Sequence, residues 1–163
     1  MENFSTTFVT TQSALNAYNA IANFRDWWSE DIEGNTNIPG ETFFYRYKEV
    51  HLCKLQLIEA VPGKKLEYKV LDNYFSFTKD KTEWKNSSLV FMITAEDGKT
   101  KVSFTHQGLT EADECYQVCN EAWSNFIHNS LYPFIEKGKG KPNPKEGEGF
   151  NAAIVEKWKL KTI

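Results

Sequence analysis

"EAWSNFIHNSLYPFIEKGKGKP", Glu121 to Pro142, is the stretch that decides the fold. Its apolar residues fall at Ala122, Trp123, Phe126, Ile127, Leu131, Phe134 and Ile135, at helical spacings of three and four. Cys115 and Cys119 continue the stripe upstream, so the pattern predicts one helix over about residues 113–137, with Thr110 or Asp113 as its cap. Gly138 and Gly140 stop it. Pro133 lies inside it, has no N–H to donate and clashes with the preceding turn, which predicts a kink. The face carries more aromatic bulk than one helical stripe normally buries. It must close on a solid core or on a space meant for something else.

The segments before the helix alternate with a period of two. "NFSTTFVTT" predicts an opening strand over about residues 3–10. A helix follows, capped by Thr11, with Leu15, Tyr18, Ile21 and Ala22 as its apolar positions. Phe24, Trp27 and Trp28 then suggest a short helical turn. "GNTNIPGE" is a turn cluster. Strands are expected at about 42–49, 51–60, 65–72, 87–96 and 100–107, with Asp97-Gly98 turning the last hairpin. One strand, helices, a run of antiparallel strands and one long helix argue an α+β domain over residues 1–142, with the helix on one face of the sheet. Residues 143–163 read as a flexible linker and a tail, or as a short docking helix through Phe150, Ile154 and Trp158.

Composition narrows the function. The chain has 163 residues and a formal net charge of -3, and its only arginines are Arg25 and Arg46, which argues against nucleic-acid binding. "MENFSTTFVTT" lacks the apolar core of a signal peptide and no run approaches a membrane span, so a cytoplasmic protein without a membrane partner is expected. In that compartment the three cysteines read as thiols. No catalytic triad, P-loop, dinucleotide fingerprint or zincin motif is present, and no catalytic residue or cofactor is nominated.

The order of elements resembles the helix-grip fold of the START-like, or SRPBCC, superfamily, which includes the birch-pollen allergen. "FRDWWSEDIEG", "GETFFYRY", "TEWKNSSLVFMI", "VSFTHQGL" and "ECYQVCNEAWSNFIHNSLYPFIEKGKGKP" are similar, in that order, to segments of bacterial homologues of the activator of the heat-shock-protein-90 ATPase. The likeness spans about residues 4–142. It implies a curved sheet of six or seven strands gripping the long helix, often with an apolar cavity between them. The lining would then draw on Trp28, Phe43, Tyr45, Tyr68, Trp84, Phe91, Phe104, His106, Tyr116, Cys119, Trp123, Phe126 and Ile127.

Alternation puts His106 with Val102 and Phe104 on the helix-facing side of the last strand. There it is a polar contact for a ligand or a general base; otherwise it is a structural histidine with its bonds met inside the protein. With Cys115 and Cys119 it makes three soft ligands and lacks the fourth that a structural zinc site takes, so no metal is expected. The carboxylates, Glu59, Glu67 and Glu83 among them, read as solvated. Phe75, Phe77 and Trp84 flank the polar loop "TKDKTE" and suggest a lid or a portal. Three readings follow: a binding protein for a small apolar molecule, a chaperone-associated or other interaction module, and a cyclase- or hydrolase-like enzyme using the same cavity. The tail's apolar residues suggest a homodimer.

Overall fold

Alternation and hairpin chemistry build a single antiparallel sheet. The computed structural model describes residues 2–160. Its strands are β1 (Phe4–Thr10), β2 (Ile32–Gly34), β3 (Thr42–Tyr47), β4 (His51–Val61), β5 (Lys65–Phe75), β6 (Ser88–Glu96) and β7 (Lys99–Gln107). They lie in the order β1-β7-β6-β5-β4-β3-β2. The seventh strand is β2, inside what reads as loop. It is three residues long and has no pattern of its own. Pairing with β3 holds it, and the Arg25 guanidinium donates to the carbonyls of Ile32 (3.0 Å) and Gly34 (2.6 Å).

Two irregularities bend the sheet. Lys54 pairs with Asp72 and Leu55 with Val70, so Leu71 is an extra residue in β5; Leu57 pairs with Tyr68 and Glu59 with Glu67, so Ile58 is extra in β4. Such bulges bend a strand and reset which face its side chains take. Beyond Leu71 the inward positions of β5 become Asn73 and Phe75. The strand therefore runs to Phe75, past the turn-like Asp72-Asn73.

Between β1 and β2 lie α1 (Ala14–Ala22) and a 3₁₀ turn, Phe24–Asp26. Ser13, not Thr11, caps α1 by accepting from the Asn16 N–H, and Leu15 is exposed, leaving Ala17, Ala20, Ile21 and Ala22 as the buried stripe. The long helical pattern is three pieces: α2 (Tyr116–Phe126), a π-helical turn (Ile127–Leu131) and α3 (Tyr132–Lys137). The break precedes Pro133, whose missing N–H frees a carbonyl one turn back; the Tyr132 N–H reaches the Ile127 carbonyl in the wider π register. Gly138 ends α3 in the left-handed conformation, φ 79°.

No side chain from Thr110 or Asp113 caps α2. The Glu83 carboxylate does so from across the sheet, accepting from the N–H groups of Glu114 (2.7 Å) and Cys115 (2.9 Å). A carboxylate there also meets the positive end of the helix dipole. Glu83, read as solvated, is thus a structural anion.

The last helix, α4 (Phe150–Trp158), folds back on α2: the Phe126 and Phe150 rings are 5.5 Å apart and Lys157 pairs with Glu121 at 2.6 Å. The chain leading to it is strapped down. Asn143 is buried, donates its N–H to the Trp28 carbonyl (2.9 Å) and accepts from the Glu30 N–H (2.9 Å). Among the described residues no helix is long and apolar enough to cross a membrane.

Ser130, in the π turn, ties these parts together. Its hydroxyl donates to the Trp27 carbonyl (2.6 Å) and accepts from the Lys141 N–H (2.7 Å), and it is wholly buried. Ser130→Ala strands both backbone groups and is expected to cost about 1–3 kcal/mol in a urea unfolding experiment. A loss within 0.5 kcal/mol, about what a surface change costs, would show that water replaces the hydroxyl.

Candidate functional site

The aromatic residues form a column through the protein. Tyr45 of β3 stacks on Trp28 (4.0 Å, 11°), Trp28 on Trp123 of α2 (5.4 Å, 25°), and Trp123 on Trp84 of the β5–β6 loop (5.7 Å, 11°). The column joins four segments distant in sequence, and each offset ring pair contributes beyond its buried area.

His106 sits beside this column with both ring nitrogens engaged. The Trp123 Nε1–H donates to Nδ1 (3.1 Å); Nε2–H donates to the Ser87 hydroxyl (2.8 Å), whose own proton goes to the Trp84 carbonyl (2.5 Å). Ser87 in turn crowds Gly108, where φ is +103° and an added Cβ would approach the Ser87 Cβ to 3.0 Å, so the His-x-Gly ending of β7 leaves room for no other residue there. Burial pushes the pKa of His106 down to about 3. The imidazole is neutral and internal, both its nitrogens are engaged within the protein, and it does not line the cavity beside the column. The thiols of Cys115 and Cys119 lie against each other, Cys119 Sγ to Cys115 Sγ 2.8 Å. This contact, and then burial, push the Cys115 thiol up. The Trp84 indole N–H has no oxygen or nitrogen acceptor and meets the Cys115 sulfur.

Beside the column, and lined by all four of its rings, is a cavity of about 60 Å3. The sheet contributes Tyr45, Tyr47, His51 and Phe75, the loops Trp28, Val50, Phe77 and Trp84, and α2 Val118, Cys119, Ala122, Trp123 and Phe126. The remaining wall is the chain's own tail: Asn151, Ile154, Val155 and Leu160. The Asn151 amide Nδ2–H donates to the Tyr45 hydroxyl at 3.0 Å, and burial pushes the phenol's pKa well up.

The sequence itself matches a known family, Activator of Hsp90 ATPase homolog 1-like protein, over residues 14–136. The chain belongs to that family. Solved structures agree on the fold. A structure described as the Aha1 dimer from Colwellia psychrerythraea is 22% identical with a TM-score of 0.68, covering 86% of this chain and 100% of that one. A Staphylococcus saprophyticus protein is 12% identical at TM-score 0.63, covering 88% and 98%. DynU16, from the dynemicin biosynthetic locus, is 10% identical at TM-score 0.62, with 83% of this chain matching 48% of that one. No curated protein matches the sequence. The α+β helix-grip architecture, a seven-stranded antiparallel sheet against the long helix, is therefore that of an SRPBCC member of this family.

Six of the residues nominated from sequence meet at the cavity: Trp28, Tyr45, Trp84, Cys119, Trp123 and Phe126. Phe43, Tyr68, Phe91, Phe104 and Ile127 lie elsewhere, completely buried in solid core. The reason is Phe24, whose ring lies 4.8–6.1 Å from those of Trp27, Phe43, Tyr68 and Phe91 and fills that half of the gap. Tyr116 faces a separate polar groove beside β1 with Glu2, Glu111 and Asn120. The portal residues Phe75, Phe77 and Trp84 do come together. The sequence reading passed over His51, although His51, Cys53, Leu55 and Leu57 alternate onto one face. It had no signal for Asn151, which reaches Tyr45 across 106 residues.

Two predictions follow from the column. Trp123 is 2% exposed and stacked on both sides, so Trp123→Ala is expected to cost about 3–5 kcal/mol by chemical denaturation. A smaller loss would mean that the cavity already separates it from its neighbours. His51 and His106 both have pKa values lowered to about 3 from 6.5. Below pH 6.5 the unfolded chain takes up protons that the native protein refuses, so stability present at neutral pH is lost on acidification toward pH 3. The slope is about 1.4 kcal/mol per pH unit for each histidine. Unfolding free energies at pH 7 and 5 read it, and His106→Gln should remove one histidine's share of the slope.

Proposed function

We propose that the protein is a cytoplasmic binding protein for a small apolar or aromatic molecule, held in the cavity between the sheet and α2. The observation that carries this reading is the make-up of the wall: aromatic and aliphatic side chains with a few polar tips, on Tyr45, Tyr47, His51 and Asn151, the usual composition of a small-molecule site. At about 60 Å3 the cavity is smaller than the roughly 150 Å3 that admits benzene. The wall suited to yield is α4, which no strand pairs and which, among the described residues, is held by two hydrogen bonds from Asn151, to Tyr45 and to the Asn143 side chain, by the buried Ile154, by one ring contact with Phe126 and by one exposed ion pair. Ligand entry then lifts the tail, and the tail covers the aromatic wall when no ligand is bound.

The competing readings ask for different chemistry. A chaperone contact, suggested by the family's description, would draw on the outer surface and leave the cavity empty. A cyclase- or hydrolase-like reaction would need a base in the cavity. His51 is the ionisable imidazole there, and with a pKa of about 3 it is a weak base at neutral pH. Binding is favoured over catalysis on that ground. The first argument for a homodimer narrows to Trp158, which is exposed, because Ile154 is buried and Phe150 half-buried within their own chain. It stands as a proposal on the description of the Colwellia relative as a dimer, and light scattering tests it.

Native mass spectrometry of freshly purified protein is expected to show an apolar adduct that is lost on denaturation. Removing residues 150–163 is expected to raise the fluorescence of an apolar dye severalfold, because it uncovers the aromatic wall. An adduct-free mass together with no dye binding by either chain would sink the cavity reading.

A further inference from the structure

His51 enters the cavity with one nitrogen used and one free. Its Nε2 lies 2.8 Å from the Asn73 amide oxygen. With the Asn73 amide oriented so that its oxygen meets the ring and its Nδ2 is buried without a partner, the ring proton sits on Nε2 and Nδ1 carries a lone pair. Among the described residues no group donates to Nδ1. The ring is wedged against Phe75 (4.3 Å), Trp84 (4.6 Å) and Tyr45 (5.1 Å), which fixes its orientation. The second polar group of the wall is the Tyr45 hydroxyl. It accepts from Asn151 at 3.0 Å, and among the described residues its own proton has no acceptor. One cavity therefore holds an unmet acceptor and an unmet donor, both on side chains locked by stacking.

We propose that the cavity selects a single-ring aromatic ligand bearing a neutral hydroxyl, which donates to His51 Nδ1 and accepts from the Tyr45 hydroxyl. This rests on the cavity-binding reading and adds the chemistry of the ligand to it. A hydroxyl is the one simple group that donates and accepts at a single atom, so it meets both side chains at once. A carboxylate is a poor match: no lysine or arginine lines the cavity, and a buried anion without a cation is strongly disfavoured. The contrast with His106 is instructive, since the fold fills both nitrogens there and leaves one open here. His51 stays neutral at physiological pH, which keeps the lone pair available.

The test uses the full chain and four probes of similar size: phenol, toluene, anisole and benzoate, titrated by calorimetry. Phenol is expected to bind about tenfold more tightly than anisole, the worth of one buried hydrogen bond, and more tightly still than toluene, which makes neither bond, and benzoate not to bind measurably. His51→Phe is expected to lower phenol affinity about tenfold, to that of anisole, and to leave toluene unchanged. In the unmutated protein, the ¹⁵N resonance of His51 Nδ1 should move on adding phenol and stay put with toluene. That measurement decides the matter if the variant does not fold. Equal affinity for phenol and toluene, or tighter binding of anisole, overturns the hydroxyl assignment and leaves the cavity reading standing. Failure of all four probes to bind overturns both.

Discussion

The rest of the molecule depends on one constraint: the Trp123 indole must be sandwiched between Trp28 and Trp84 while its N–H is held by His106. That arrangement sets the rotation of α2 about its axis. It needs the turn after α1 to deliver Trp28, and the loop before β6 to deliver Trp84 and, through its carbonyl, to anchor Ser87. Glu83, next to Trp84, holds the first turn of the same helix. Moving any of these parts breaks a stacking contact and strands a buried polar group. Each such loss costs on the order of 1–3 kcal/mol, against a total stability of only about 5–15 kcal/mol.

The same column divides the space under the sheet into two halves with different character. On the side of Phe24 the rings interlock and nothing is left open. On the side of His51 the packing stops short, and the chain's own C-terminal helix closes the gap. A tail that contributes Ile154 and Val155 to a cavity wall hides apolar surface that would otherwise face water, and at the same time occupies room a ligand would use. Stability and access are thus opposed in one segment. The two histidines follow the same division: one is a fully bonded strut, the other a fixed acceptor facing the space.

The aromatic stripe of Trp123, Phe126 and Ile127, the alternation that turns His106 inward and the Asp97-Gly98 hairpin were all legible in the chain, because each is a repeat or a turn signal set by near neighbours. So was the half of the cavity that lies on α2 and its aromatic neighbours. What escaped were features made by partners far apart in sequence. Leu71 and Ile58 become bulges only because two strands of unequal local length must pair, and that shift is what brings Phe75 opposite His51. β2 exists because Arg25 and β3 hold it.

The sequence by itself determined the class of fold, the place of the long helix and the excess of rings on its buried face, since periods of 2 and 3.6 are written locally. The tertiary structure alone decided which rings pack solid and which border a space, which histidine is satisfied and which is left open, and that the tail forms the last wall. The physical reason is that a hydrogen bond such as Asn151 to Tyr45, or a stack such as Trp28 on Trp123, is a property of two segments meeting; neither segment carries a mark of the other until the sheet has curved and the helix is seated.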